Sequence, residues 1–423
     1  MKKKIVLLIM LVVLVISPLM ADVEGFEPFD GNRVSFRPTS ARIEGMGGAG
    51  LAIVKGNDTL FYNPANLAYK GLSINLPSVS LTVHNLSHMV RNGVFDSLLA
   101  GDMEDVIGPM VNSVGYGRGE IITTDISTSI TGGGLGFGLH VQQQLHTQNS
   151  GMNALNAKYF AELNIAAVFG LGVRIQAIPD YLSVDVGATA KLAYKAYTKG
   201  FSISTIAGDI FEPDGGDEFD PMELLNIMTI ASGVGFPIDI GVNVNLPFGM
   251  KVSAVARDVI GTYKMTAYEN SLDWVNDSLD IIGVDKPFSD SEVGSNTARV
   301  EFPLEIKPKF DVGFGYVPRL GKLGKVLQPS IALDLVDIGD MIEASDYSQH
   351  AFLTHLNVGA ELRVASTLDL RFGMNAGYMS VGMGLDLFVI RLDAAYYWRE
   401  YGNNIGDNPK DAFTLRFNIG YDR

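Results

Sequence analysis

From Leu72 to its end the chain is written in period two, and that pattern admits few folds. In the last segment Phe413, Leu415, Phe417, Ile419 and Tyr421 share one face, while Thr414, Arg416, Asn418, Gly420 and Asp422 share the other. Successive side chains of a strand point to opposite faces, so this is a strand with one apolar side. Leu368, Leu370, Phe372, Met374, Ala376 and Tyr378 alternate in the same way with Asp369, Arg371, Gly373, Asn375 and Gly377. So do Leu182, Val184, Val186, Ala188 and Ala190 with Ser183, Asp185, Gly187 and Thr189, and Ile238 to Leu246 with Asp239, Gly241, Asn243 and Asn245. The three- and four-residue spacings of a helix are missing. About fourteen such segments are legible, near 72–86, 120–131, 133–147, 157–169, 180–199, 231–246, 248–261, 303–317, 326–337, 353–364, 367–378, 380–387, 389–400 and 411–422. Most reach the nine to eleven residues of a tilted membrane strand, and their number is even, as bacterial single-chain barrels require.

A soluble sandwich also alternates, so the connections decide. Long links near 86–120, 200–231, 261–302 and 337–352 interleave with short ones at Gly132–Gly134, Leu246–Pro247, 318–325 and Ala365–Ser366. Long loops on one side and tight turns on the other mark an outer-membrane barrel. The links near 170–180 and 378–380 fit this sorting less well. Tyr181, Tyr194, Tyr197, Tyr316, Tyr378, Tyr396, Trp398 and Tyr421 fall near strand ends, where headgroups meet hydrocarbon. Glu361, Arg363, Asp369, Arg371, Arg391, Asp393 and Arg416 occupy the opposite face and are expected to point into a lumen, where opposite charges pair.

The N-terminus sets the compartment. Lys2, Lys3 and Lys4 precede an apolar run from Ile5 to Ile16, and Ser17, Pro18 and the small Ala21 come after it. This is a secretory signal peptide, too short for a spanning helix. After it no run of about 18 apolar residues recurs, yet 47% of the chain is hydrophobic and must be hidden in some other way. The chain has no cysteine, which excludes disulfide staples, thiol catalysis and a lipid-modified N-terminal cysteine. Its formal charge is −15, falling to −18 when the three leader lysines leave, so nucleic acid is not an expected partner.

Few motifs carry chemistry. Gly45-Met46-Gly47-Gly48-Ala49-Gly50 matches the G-x-G-x-x-G string, but Arg37-Pro38-Thr39-Ser40 before it is no buried strand, and Gly56-Asn57-Asp58 breaks any helix after it. Those glycines are read instead as places where backbone packs closely. His84 and His88 are read as strand-end histidines rather than metal ligands, and the acidic run 212–220 as a solvated loop without the EF-hand spacing. Segments 94–114 and 221–230 have helical spacing and are expected as short helices over the mouth. No Ser, His and Asp set suggests nucleophilic catalysis, so no enzyme, cofactor or metal is expected.

The segment before the first strand behaves differently from the rest. It runs from Phe36 through the glycine stretch to Leu60-Phe61-Tyr62-Asn63-Pro64-Ala65-Asn66-Leu67-Ala68, rich in small residues and turn formers. Here the chain resembles the FadL-type long-chain fatty-acid transporters and the related PorV-like proteins. Asn57-Asp58, Ala256-Arg257-Asp258, Asp334-Leu335-Val336-Asp337 and Gly359-Ala360-Glu361-Leu362 extend the likeness, although those barrels often end in an aromatic residue and this chain runs on through Asp422 and Arg423. The resemblance implies an all-β, antiparallel transmembrane barrel of fourteen strands, closed by an N-terminal hatch, in the cell outer membrane. The expected organisation is a signal peptide at 1–21, a hatch at 22–71 and a barrel at 72–423.

The function it implies is passage of fatty acids or similar hydrophobic nutrients. The bilayer and, during biogenesis, the barrel-assembly machinery are the implied partners. Asn63, Pro64 and Ala65, with Gly45, Gly47 and Gly48, are the candidate gating residues. Gly132, Gly133, Gly134 and Gly136 are the candidate wall kink. The alternative is an accessory barrel like the PorV group, or a surface adhesin, receiving protein partners through its long acidic loops.

Overall fold

The computed structural model describes residues 33–34, 36–100, 104–151, 156–179, 181–202, 229–281, 283–289, 293, 298–343, 348–402 and 404–422. The expected signal peptide, the acidic run 212–220 and residues 221–228 lie outside the described residues. Fourteen strands pair antiparallel in chain order. They are β1 (Ser73–His84), β2 (Gly117–Gly132), β3 (Leu135–Asn149), β4 (Lys158–Ile178) and β5 (Leu182–Thr198). Next come β6 (Ile230–Gly235 and Ile238–Asn245), β7 (Met250–Arg257 and Thr262–Tyr268) and β8 (Arg299–Glu305 and Lys309–Tyr316), each of two consecutive segments. The ring ends with β9 (Leu327–Leu335), β10 (Leu356–Val364), β11 (Leu368–Asn375), β12 (Tyr378–Leu387), β13 (Ile390–Glu400) and β14 (Pro409–Asp422). β1 pairs with both β2 and β14, so the sheet closes on itself. Closure matters because hydrocarbon offers no partner to a free N–H or C=O.

The alternation sorts the faces as expected. Asp369 and Arg371 are buried inside, whereas their neighbour Phe372 is 60% exposed on the outer wall. The exposed apolar side chains form a belt around the ring, from Leu81 and Phe137 through Phe169, Ile240 and Phe314 to Phe372, Met383 and Leu415. An apolar surface of that extent belongs against lipid rather than water. Short turns at 133–134, 179–181, 246–249, 365–367 and 388–389, with the link 317–326, occupy one end. The longer links 85–116, 150–157, 199–229, 269–298, 336–355 and 401–408 occupy the other, where 376–377 is the tight exception.

Several boundaries differ from the sequence reading. β4 runs to Ile178 instead of stopping at 169, because Leu171, Val173 and Ile175 continue its outward face past Gly170 and Gly172. That shortens the awkward 170–180 link to a turn and restores the sorting of loops. β7 and β8 also reach further, to Tyr268 and back to Arg299.

The helices α2 (Val94–Ala100) and α3 (Glu104–Asn112), in the segment expected to be helical, follow α1 (Leu86–Arg91). They do not cover the mouth. Val94 and Val106 pack with Leu145 and Ala161, which face outward like Val141 and Ile165 on the same ladder. A further helix, α4 (Ser271–Ile281), covers the outward Leu163, Tyr194 and Ala196 in the same way. The upper wall therefore wears a collar, made where the outward strand positions stay apolar above the belt. Tyr194 accordingly meets Trp274, whose Nε1 donates to it at 2.8 Å, and Tyr197 is buried inside the barrel. Neither sits at the lipid boundary expected for it: Tyr194 is under α4, and Tyr197 has inward parity on β5 with Lys195 and Ala193.

Two substitutions check the register. Phe372→Arg is expected to destabilise the folded barrel by about 2–4 kcal/mol, the cost of an arginine at the lipid midplane. Asp369→Asn is also expected to be costly, about 3–5 kcal/mol, because it strips a buried acceptor from three arginines. Denaturant unfolding in lipid vesicles measures both. A neutral Phe372→Arg would place that residue outside the hydrocarbon.

Candidate functional site

The space inside this ring is occupied by residues 36–69. Asn63 lies before a proline, which restricts it to extended backbone (φ −157°, ψ 101°). Its Oδ1 accepts from the Ala65 amide at 3.0 Å and starts a 3₁₀ turn over Pro64–Ala68. Its Nδ2 donates to the Leu51 carbonyl and to Asn243 Oδ1, both at 2.8 Å. Asn66 Nδ2 donates to the same carbonyl at 2.9 Å, and Lys251 Nζ reaches Asn66 Oδ1 at 3.0 Å. Gly187 and Gly241 on the facing strands make this approach possible. A Cβ at either would fall 2.2 Å from the Pro64 carbonyl oxygen or 2.3 Å from Asn63 Oδ1.

Across the lumen the glycine stretch lies backbone to backbone on β10–β12. Gly45 faces Gly382, where an added Cβ would sit 2.9 Å from the opposing Cα. Gly47 has φ +65° and stands so near Met374 that a Cβ would come within 2.3 Å of its backbone nitrogen. Gly48, also at positive φ, lies beside Asn357. No strand leads into these glycines and the helical turn Ala41–Gly45 precedes them, the reverse of a phosphate-binding loop.

Charges tie the segment to the wall at three further points. Arg42 donates to Glu361 through Nε at 2.9 Å and Nη2 at 2.8 Å. Arg399 on β13 bonds Glu44 at 2.7 Å, and Arg416 on β14 bonds Asp58 at 3.2 Å. Behind them Arg371, fully buried, reaches Glu361 at 2.7 Å, Asp369 at 3.0 Å and Asp393 at 2.8 Å. Of the lumen-facing charges read from the sequence, Glu361, Arg363, Asp369, Arg371, Arg391 and Asp393 thus form one network, while Arg416 pairs with Asp58 of the segment.

Asp334 on β9 is the attachment that sequence reasoning missed. Its Oδ2 accepts from the amides of Gly50 at 2.6 Å and Leu51 at 2.9 Å, while Oδ1 has no hydrogen-bond partner among the described residues. The available signal was an inward-parity carboxylate beside Gly313 and Ala332, with no cation facing it across its strand pair.

The segment leaves a cavity at each end. One of about 230 Å³ opens toward the long loops and is lined by Arg37, Glu44, Glu120, Gln142, His146 and Arg399 among others. One of about 270 Å³ opens toward the short turns, lined by Lys55, Asp58, Glu361, Arg363 and Arg391 among others. Both are polar. The largest apolar cluster of the interior lies between the segment and β4–β8, where Phe36, Leu60, Phe61 and Leu67 meet Val168, Tyr197, Tyr263, Met265, Leu304 and Ile306.

The wall is interrupted in that same sector. β6 breaks at Phe236 and Pro237. β7 carries two extra residues against β6, since Ile240 pairs Ala256 but Gly235 pairs Tyr263. β8 breaks at 306–308, and its upper segment Arg299–Glu305 is paired on the β7 side alone among the described residues. The expected kink at Gly132, Gly133, Gly134 and Gly136 is not where the ladder breaks. Gly133 and Gly134 form the β2–β3 turn, and β3 pairs β4 without a shift from Leu135 to Gln148, with Gly136 facing Leu60 and Leu67. His84 is a buried strand-end residue, 3.2 Å from Thr123 Oγ1 and 3.1 Å from Glu120.

No protein-family model and no curated protein matches the chain. Among solved structures it is similar to a TodX monoaromatic hydrocarbon channel deltaS2 mutant, at 11% identity over 91% of this chain and 98% of that one, with a TM-score of 0.46. It is similar also to the Pseudomonas putida toluene transporter TodX (10%, 92% and 98%, 0.45) and a Pseudomonas aeruginosa FadL homologue (10%, 91% and 99%, 0.41).

If Asp334 holds the segment, Asp334→Ala leaves two buried amides unsatisfied, at about 1–3 kcal/mol each. Hydrogen exchange at residues 45–54 is expected to speed up while the β1–β14 ladder stays protected. Unchanged exchange at Gly50 and Leu51 would remove Asp334 from that role.

Proposed function

We propose that the chain resides in the outer membrane of a two-membraned bacterium and carries hydrophobic molecules, long-chain fatty acids among them, through a barrel whose lumen is held shut by a hatch spanning residues 22–71. The observation that carries this reading is a coincidence of place. The interruptions in the wall, at β6–β8, fall within the sector β4–β8 that bounds the largest apolar cluster of the interior. On the inside of the break stand Tyr263, Leu304 and Ile306, and on its outside the exposed Phe236, Val259, Ile260 and Phe310. An apolar molecule following these surfaces avoids both polar cavities and leaves sideways into lipid, where its transfer from water is favourable.

The sequence resemblance around Asn63-Pro64-Ala65 supports the same assignment. In it Asn63, Pro64 and Ala65 seat one end of the hatch and Gly45, Gly47 and Gly48 the other. A shift at either end opens space beside Phe61 and Leu60.

The test is uptake of radiolabelled oleate by cells carrying the gene, lacking it, or carrying a deletion of Val259 and Ile260. That deletion removes the two-residue mismatch against β6 and is expected to abolish most uptake while the barrel still migrates as a heat-modifiable species. Equal uptake with and without the gene would overturn the function; full uptake by the deletion would overturn the sideways route. Asn63→Ala with Pro64→Gly is expected to lower uptake and raise planar-bilayer conductance, because it frees the hatch without touching a strand. An inserted double variant with unchanged conductance would exclude these residues from gating.

A further inference from the structure

The two flanks of the luminal segment differ in chemistry, and the polar one has no part in carrying an apolar molecule. Facing β1–β3 and β14 the segment presents Thr39, Asn57 and Asp58 to Ser78, Ser80, Asp125, Ser127, His140 and Arg416. Gln142, which lines the outer cavity, donates to Asp125 Oδ1 at 2.8 Å, and His140 Nε2 lies 3.0 Å from the same oxygen. Asp125 and His140 in turn line a small cavity of about 10 Å³. Pro38 and Thr39 border both that cavity and the outer one, while Asn57, Asp58 and Arg416 border both it and the inner one. Three cavities therefore stand in series from one mouth of the barrel to the other, with shared walls.

We propose that this seam is a water conduit, one molecule wide, in which Arg416 bars the passage of ions. The narrow cavity matches the space a single water needs, and its lining offers more than the two to four polar partners that hold one. Anything larger is excluded by size. Arg416 is fixed at the inner end, its Nε donating to Ser78 Oγ at 2.8 Å and its Nη1 to Asp58 Oδ1 at 3.2 Å. A fixed guanidinium in a pore this narrow raises the barrier to cations, and Asp58 and Asp125 do the same for anions. Water, being neutral, meets neither barrier. The route is independent of any apolar cargo, so it stands or falls separately from the transport reading.

The mature protein in phosphatidylcholine vesicles, studied by stopped-flow light scattering after an osmotic jump, tests the proposal. Wild-type vesicles are expected to shrink faster than protein-free ones while leaking no extra potassium. Ser127→Leu fills the small cavity and should return shrinkage to the protein-free rate; Ser78→Leu, from a different strand, should do the same if the first variant does not fold. Arg416→Ser should keep water passage and raise potassium leak several-fold. Leu304→Ala, on the apolar flank, should change neither. Wild-type shrinkage at the protein-free rate would overturn the conduit, and fast shrinkage in folded Ser127→Leu or Ser78→Leu would overturn the route. A leak-free Arg416→Ser would overturn the filter.

Discussion

A closed ring of fourteen strands encloses more space than its own inward side chains can fill. Eight strands are about the size at which side chains alone suffice, and wider barrels leave an aqueous channel. Here the surplus is taken up by backbone. The turn beginning at Asn63 lies on Gly187 and Gly241, and the glycine stretch lies on Gly359, Gly373 and Gly382. Both contacts depend on missing Cβ atoms, on the segment or on the wall. Closure of the sheet thus dictates where the wall is thin, and the thin places dictate where the segment rests.

Charge then fixes its orientation. Side chains with inward parity are hidden from lipid, so ionised groups are tolerated there as long as each finds a partner. Arg42, Glu44 and Asp58 each meet an opposite charge on a different strand, β10, β13 and β14. Three such pairs define a plane, and Asp334 adds a fourth contact through backbone amides. A segment tethered only by apolar packing would slide; this one has a register. The largest apolar cluster joins the segment to β4–β8, and smaller ones join Met46, Ala49, Ala52 and Ile53 to Ala332 on β9 and Ala41 to Ala395, Tyr397 and Ala412 on β13 and β14.

Much of this was legible because parity is a strong signal. The inward set Glu361, Arg363, Asp369, Arg371, Arg391, Asp393 and Arg416 was readable from alternation alone, as was the closely packed glycine stretch. What escaped the sequence reading escaped it for physical reasons. Gly170 and Gly172 diluted the pattern of β4, although their lack of side chains is what admits Leu67 and Ala68. Tyr197 resembled a headgroup aromatic, but the count from Lys195 puts it inside. The run Gly132–Gly136 suggested a flexible wall, whereas glycines in a two-residue turn beside a continuous ladder add no kink. The real interruption is signalled by Pro237 and Pro308 and by extra residues in β7. Its position across three strands depends on their pairing, which one strand's pattern does not contain.

The upper edge of β8 shows how the wall tolerates that interruption. An unpaired strand invites another chain to pair with it. Arg299–Glu305 counters this locally: Pro303 has no N–H to offer, and Glu301 and Glu305 place charge on either side of it. Within the break Lys307 binds Glu343 at 2.9 Å, and just below it Lys309 binds Asp340, both acceptors on the helix Ile338–Glu343 that comes after β9. The gap beside β8 is therefore flanked by surface ion pairs, each worth little on its own, rather than by a ladder of backbone bonds. Under the proposed sideways route, this is a seam whose opening breaks few backbone bonds among the described residues. The separation would fall beside Leu304 and Ile306, where the interior is apolar, and away from the arginine network that holds the luminal segment in place.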